Sequence, residues 1–134
     1  MAGLERLGFT ARIRSQLAPP DWLPAPGQAA IAVETRAGDA RVTERVKVLD
    51  DARTRRNVSA ERALNAAFGG DCTMPLGAWC ETAADGTLHL RGLLGDARDG
   101  RLLRADARGD ALGGEVAHLV QEQGADFLLH QLAE

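Results

Sequence analysis

The sequence predicts an α+β chain: a three-stranded antiparallel sheet covered by helices, preceded by a strand-helix segment belonging to a larger α/β domain. Three observations predict it. Residues 76–107 read as three runs of alternating residues, broken by the Asp85-Gly86 pair and by a looser turn over 96–100. Helical patterns flank these runs, with apolar residues at three- and four-residue spacing. The order helix, meander, two helices makes one layer of sheet and one of helix. A strand and a helix before residue 50 have nothing in this sequence to pair with or bury against.

Taken in order, residues 4–17 carry a loosely helical apolar pattern that Pro19 and Pro20 stop. A Pro- and Gly-rich stretch over 19–28 reads as a linker, and 29–34, with β-branched Ile31 and Val33, as a short strand. Asp39 caps a helix over 40–49, in which Val42, Val46 and Leu49 share a face. A second helix is expected with Ser59 as its N-cap and Glu61 at the positive end of its dipole. Its buried stripe would be Ala60, Ala63, Leu64, Ala67 and Phe68, and Gly69 and Gly70 would end it. Strands are expected at 76–82, 87–94 and 101–107. Asp110 then caps a helix carrying Leu112, Val116, Leu119 and Val120, interrupted by Gly113 and Gly114 and closed by Gly124, and 125–133 form a last short helix. Residues 51–134 read as self-contained, and residues 1–50 as parts of a larger protein, with Met1 a truncated reading frame or an imposed start.

At 134 residues, with 45% apolar and 26% charged, the chain fits one globular domain plus extra segments. Sixteen Lys and Arg against nineteen Asp and Glu give a net charge of -3, which argues against an electrostatic nucleic-acid binder. Two Trp, three Phe and no Tyr leave little surface for stacking bases. The longest uncharged run, 22–33, holds two prolines and falls short of the roughly 20 apolar residues that cross a bilayer. Glu5, Arg6, Arg12 and Arg14 leave no apolar signal-peptide core, so no membrane association and a cytoplasmic location are expected.

The loop Gly69-Gly70-Asp71-Cys72-Thr73-Met74-Pro75-Leu76-Gly77 is the most informative feature for chemistry. Glycines before a thiol let the backbone turn sharply and leave the sulfur accessible, which makes Cys72 a candidate nucleophile. A small apolar residue filling the top of the core is an equal reading of the same cues. Asp71 adds negative charge and no Lys or His is adjacent, so a protease-like Cys/His pair is disfavoured. Cys72 and Cys80 make neither a disulfide framework nor a zinc pattern and read as free thiols, Cys80 as a core residue. Arg53, Arg55 and Arg56 could grip carboxylates but read more simply as a solvated face. His89, His118 and His130 stand on separate elements without metal-ligand spacing, so no metal is expected. Trp22 and Trp79 read as packing residues.

Glu61-Arg62-Ala63-Leu64-Asn65 followed by the Gly69 to Gly77 loop resembles the cofactor-attachment region of porphobilinogen deaminases (hydroxymethylbilane synthases). Upstream, Leu23-Pro24-Ala25-Pro26-Gly27-Gln28-Ala29-Ala30-Ile31-Ala32-Val33-Glu34-Thr35-Arg36 is similar to the family's stretch LPAxGQGAxxxExR. Ala2-Gly3-Leu4-Glu5-Arg6-Leu7-Gly8 resembles the end of the family's second domain. Two departures stand out: Asp71 separates Gly70 from Cys72, and Ala29 replaces a common glycine.

The resemblance implies a division into 1–20 (end of the second domain and linker), 21–50 (strand-helix segment returning to the first domain) and 51–134 (C-terminal cofactor-attachment domain). It implies an enzyme, a transferase of heme and porphyrin biosynthesis, that condenses porphobilinogen head to tail into the linear tetrapyrrole hydroxymethylbilane, with release of ammonia. The growing polypyrrole starts on a dipyrromethane cofactor held through a thioether to the loop cysteine, here Cys72. Gln28 matches a glutamine beside the family's cleft that contacts cofactor or substrate at a hinge between domains, although hydrogen bonding to backbone at a turn would also account for it. Gly27 permits close backbone approach there. The family's catalytic aspartate and carboxylate-binding arginines fall in the N-terminal half that this sequence lacks. No catalytic residue is therefore assigned here, and the fragment is expected to be inactive without that half and monomeric with it. The alternative is a non-catalytic pyrrole-binding or protein-interaction module that kept the fold.

Overall fold

The computed structural model describes residues 2–28, 30–70, 74–95, 100–110 and 112–125. The first helix is short: α1 spans Ala2–Arg6, and a single 3-10 turn follows at Thr10–Arg12. The helical pattern predicted over 4–17 is broken by Gly8. At φ +73° it lets the Phe9 and Gly8 amides fold back onto the Leu4 and Glu5 carbonyls, at 2.8 and 3.0 Å. Asp39 caps α2 (Ala40–Val46) as expected, its carboxylate accepting from Val42 N at 3.1 Å, and a 3-10 turn carries the chain to Leu49. The strand expected over 29–34 is not formed at residues 30–34, where Ile31 is 95% exposed. A strand needs a ladder partner, and the described residues offer none there.

The next helix corrects the sequence reading. α3 runs Ala52–Ala67 with Asp51, not Ser59, as its N-cap, and the Asp51 carboxylate accepts from Thr54 N at 2.7 Å. That hydrogen bond holds the Asp51 carboxyl below the ordinary carboxylate range. Ser59 is an interior residue, and Glu61 lies past the helix midpoint rather than at its positive end. Ala60, Leu64 and Phe68 are buried as predicted, Ala63 and Ala67 are exposed, and Glu61 is buried in their place. Gly69 (φ +94°) and Gly70 (φ +70°) end the helix, their amides returning to Ala66 and Asn65 carbonyls.

The meander forms in the predicted order as β1 (Leu76–Thr82), β2 (Leu88–Gly95) and β3 (Leu102–Gly109), antiparallel throughout. Ala84, Asp85 and Gly86 make a three-residue hairpin loop. Ala83 N donates to Thr87 O at 2.8 Å, Gly86 takes φ +86°, and Asp85 accepts from the Thr87 amide and hydroxyl. Residues 96–99 of the second turn lie outside the described residues. Alternation sends Ala78, Cys80, Leu88, Leu90, Leu94 and Ala107 to one face, where they join Leu64, Phe68, Leu112, Val116 and Val120 in the core. Each fully buried Leu or Val there contributes about 1.5–3 kcal/mol of apolar burial.

α4 (Leu112–Val120) continues into a π turn at Gln121–Ala125, so Gly113 and Gly114 do not interrupt it and Gly124 does not close it. Gly113 is where the two helices cross: a Cβ on it would lie 2.7 Å from Leu64 N. At Gly92 the sheet admits both helices, since a Cβ there would meet Val116 Cγ1 at 2.8 Å and Leu64 Cδ2 at 3.0 Å. The Asp110 carboxylate pairs with Arg56 at 2.6 Å; Ala111 and residues 126–134, including His130 and most of the last predicted helix, lie outside the described residues. On the sheet's other face the buried His89 bonds Asp106 through Nε2 at 2.6 Å, a structural pair. Arg53 and Arg56 are bound to the hairpin, reaching the Thr82 and Gly86 carbonyls at 2.9 Å each, and Arg55 pairs with Asp50. Among the described residues no helix is long and apolar enough to cross a membrane.

Candidate functional site

The stretch over 20–28 is a strap that begins on the open face of the sheet and ends on α3. Arg104 on β3 donates to the Pro20 and Asp21 carbonyls at 3.3 and 3.1 Å. Leu23 then passes over Gly77 so closely that a Cβ on the glycine would sit 3.0 Å from Leu23 Cβ, and Ala78 N donates to Pro24 O at 2.8 Å. Gly77 thus has a steric reason to be glycine. Trp22, expected to pack, is 59% exposed.

After Pro24 the strap makes one tight turn, and its residues dictate the shape. Pro26 fixes φ for the second position, Gly27 supplies φ +72° for the third, and Gln28 N closes the turn on Ala25 O at 3.0 Å, as in a type II turn. The Gln28 side chain completes it: Oε1 accepts from Ala25 N at 3.1 Å. Gln28 does hydrogen-bond backbone at a turn. Among the described residues its side-chain nitrogen donates to nothing.

Gly27 is held from below. Its amide donates to Glu61 Oε2 at 2.8 Å, and the other carboxylate oxygen, Oε1, accepts from Cys80 N at 2.9 Å. Glu61 is 6% exposed. A buried carboxylate is tolerated when it accepts charge-assisted hydrogen bonds, and the two backbone amides supply them. Around this contact lies an open cleft of about 190 Å3, walled by Pro24, Gly27, Gln28, Asn57, Glu61 and Trp79 among others. Small-molecule sites commonly enclose about 300–1,000 Å3. The cleft is a joint between strap and helix, and a reaction centre needs walls from beyond these residues.

Cys80 is 2% exposed, and burial, with the neighbouring Glu61 and Glu81 carboxylates, pushes its thiol up to about 11. It is a core thiol, as expected. Cys72 lies outside the described residues, which resume at Met74. The structure therefore brings Gly27 to Glu61 on α3 and lays Leu23 and Pro24 against Gly77, five residues beyond Cys72, which itself lies outside the described residues. Sequence reasoning missed Glu61. Its signal was the spacing to Leu64 and Phe68, hidden by placing the helix start at Ser59. His118 is exposed beside Glu122, and no group of three metal-ligating side chains occurs among the described residues.

A family model described as the dipyrromethane cofactor binding domain of porphobilinogen deaminase matches residues 1–44, and one described as the C-terminal domain of the same enzyme matches residues 56–122. Porphobilinogen deaminase of Xanthomonas euvesicatoria pv. vesicatoria is 48% identical over 136 residues, 98% of this chain and 44% of that protein. The enzyme of Stenotrophomonas maltophilia is 50% identical over 135 residues, 97% of this chain and 44% of its own length. The chain spans less than half the length of these relatives. With the C-terminal-domain model covering half the chain, and an open three-stranded sheet with helices on one face beneath it, this chain belongs to the porphobilinogen deaminase family.

Proposed function

We propose that this chain is the C-terminal portion of a hydroxymethylbilane synthase that condenses porphobilinogen head to tail with loss of ammonia, and that Cys72 carries a dipyrromethane through a thioether. The reading rests on one observation, the collinear match of nearly the whole chain to porphobilinogen deaminases. The chemistry of the donor fits. A soft sulfur captures the electrophilic methylene left when an amino group departs: the S–C bond forms as C–N breaks, and the thiol proton leaves with the ammonia. A thioether then resists hydrolysis. Cys80 cannot substitute, since its thiol is sealed in the core and protonated at neutral pH.

The glycine pair at the end of α3 turns the chain away from the helix, and a Cβ at either position would meet nothing within 4 Å. That open surround suits a loop holding a bulky group. When bound, the dipyrromethane supplies a pyrrole α-carbon as the nucleophile on which the polymer grows. This chain's part is binding and orientation: Cys72 anchors, and the Gln28 amide nitrogen, aimed by the bond from Ala25 N to its oxygen, donates to cofactor or substrate. Gly27 provides the backbone geometry for that turn. Acid/base groups and carboxylate-binding arginines come from the portion of the enzyme that the relatives carry and this chain does not match. A cytoplasmic, monomeric enzyme is the form we expect.

The test is by mass. Co-expressed with the N-terminal portion of the Stenotrophomonas enzyme, the chain should gain a dipyrromethane at Cys72 and colour with Ehrlich's reagent, and Cys72→Ser should abolish both. An unmodified Cys72 in the assembled complex would point to a non-catalytic module.

A further inference from the structure

Among the described residues Glu61 is the one side chain whose hydrogen bonds tie the Gln28 turn to the helix and the sheet at once. Its two oxygens bind amides from different elements, Gly27 N on the strap at 2.8 Å and Cys80 N on β1 at 2.9 Å. The carboxylate is buried: its bond to Cys80 N is shielded from water, and its bond to Gly27 N is partly so. The φ of +72° at Gly27 is what lets its amide face α3 while the next residue, Gln28, faces outward. Val58 closes the contact, 3.7 Å from where a Cβ on Gly27 would stand. Upstream, Pro24 is held to β1 by its own bond, so the strap is anchored before the turn by backbone and within it by Glu61.

We infer that Glu61 is a positioning residue: through Gly27 it sets where Gln28 stands relative to the unit that bears Cys72. This rests on the reading that Gln28 contacts cofactor or substrate. Gln in place of Glu61 keeps the size and one acceptor but turns an N–H donor toward the second amide. One of the two bonds is lost, and the turn loosens without a cavity. Small misplacements of a group that orients reactants are costly in rate.

Two measurements test it. In hydrogen exchange on the chain itself, Glu61→Gln should speed exchange at Gly27 and Gln28 while Leu90 and Val116 keep their protection. Loss of protection throughout would make Glu61 a folding residue only and overturn the inference; Glu61→Asp, which keeps the charge and shortens the reach, carries the same test should the Gln variant not fold. In the complex completed by the Stenotrophomonas N-terminal portion, Glu61→Gln should lower kcat roughly tenfold, with KM nearly unchanged. The same substitution in a Gln28→Ala background should cost nothing further, because groups acting in series are not additive. Additive losses, or no loss from Glu61→Gln where Gln28→Ala is impaired, would sink the role of Glu61 alone. An unimpaired Gln28→Ala would instead remove the Gln28 reading, and this inference with it.

Discussion

Glu61 and Cys80 meet through one hydrogen bond, and the pair shows how a thiol is kept inert a few residues from one proposed to react. Burial first, then the Glu61 and Glu81 carboxylates, raise the Cys80 thiol from 9.0 to about 11. At pH 8 about one molecule in a thousand would hold it as thiolate. An aromatic disulfide reagent should therefore label Cys80 only after unfolding. The sign of the stability effect follows from linkage. The folded chain holds this proton more tightly than the unfolded one, so the contribution is complete below pH 9.0 and is lost as pH rises toward 11. Thermal melting should show Tm falling across that window, and Cys80→Ala should flatten that limb. At this scale the sequence was legible where local chemistry is self-announcing: the glycine pair that ends α3, and Pro26-Gly27 in the turn before Gln28. It was silent on Glu61, because a buried carboxylate is explained only by amides 34 and 19 residues away.

Among the elements, the strands were the most readable. β1 matches its predicted span, and β2 and β3 start within a residue of theirs, because one buried face enforces a period of two. α3 was misread because Ser59 and Asp51 are both good caps, and the choice depends on the hairpin. Arg53 and Arg56, in the helix's first two turns, are satisfied by the Thr82 and Gly86 carbonyls and by Asp110. No local window contains that information. The glycines of α4 were misread for the same reason. Gly113 looks like a helix breaker in sequence and is the point where α4 lies against α3. Gly113→Val should force the helices apart and destabilise the fold by about 1–3 kcal/mol or more, as overpacking does. Urea unfolding would measure it, with Gly114→Val, which meets open space, as the milder comparison.

For the whole molecule, residues 30–50 differ in kind from the sheet with α3 and α4. The sheet with α3 and α4 has a closed core, whereas Ile31 and Val33 and the exposed Val48 and Leu49 bury little against anything in the chain. Hydrogen exchange should find slow amides in the meander and its two helices and, apart from the hydrogen-bonded turn at 25–28, fast ones before residue 40. Protection of 30–34 should rise when the N-terminal portion of a relative is supplied; strong protection there without it would contradict the domain reading. The strand expected in this region is not formed at 30–34: Ile31 and Val33 carry β-propensity, but among the described residues no strand pairs with them.

The strap has one more consequence, which concerns what the sheet refuses. A three-stranded sheet has two free borders, and a border of open amides and carbonyls is a template on which foreign strands add. On β1, Pro24 takes the Ala78 amide, Glu61 the Cys80 amide, and Arg53 the Thr82 carbonyl. On β3, Gln123 covers the Arg104 carbonyl. Pro24 and Glu61, which hold the Gln28 turn, thus occupy two β1 amides that a foreign strand would need.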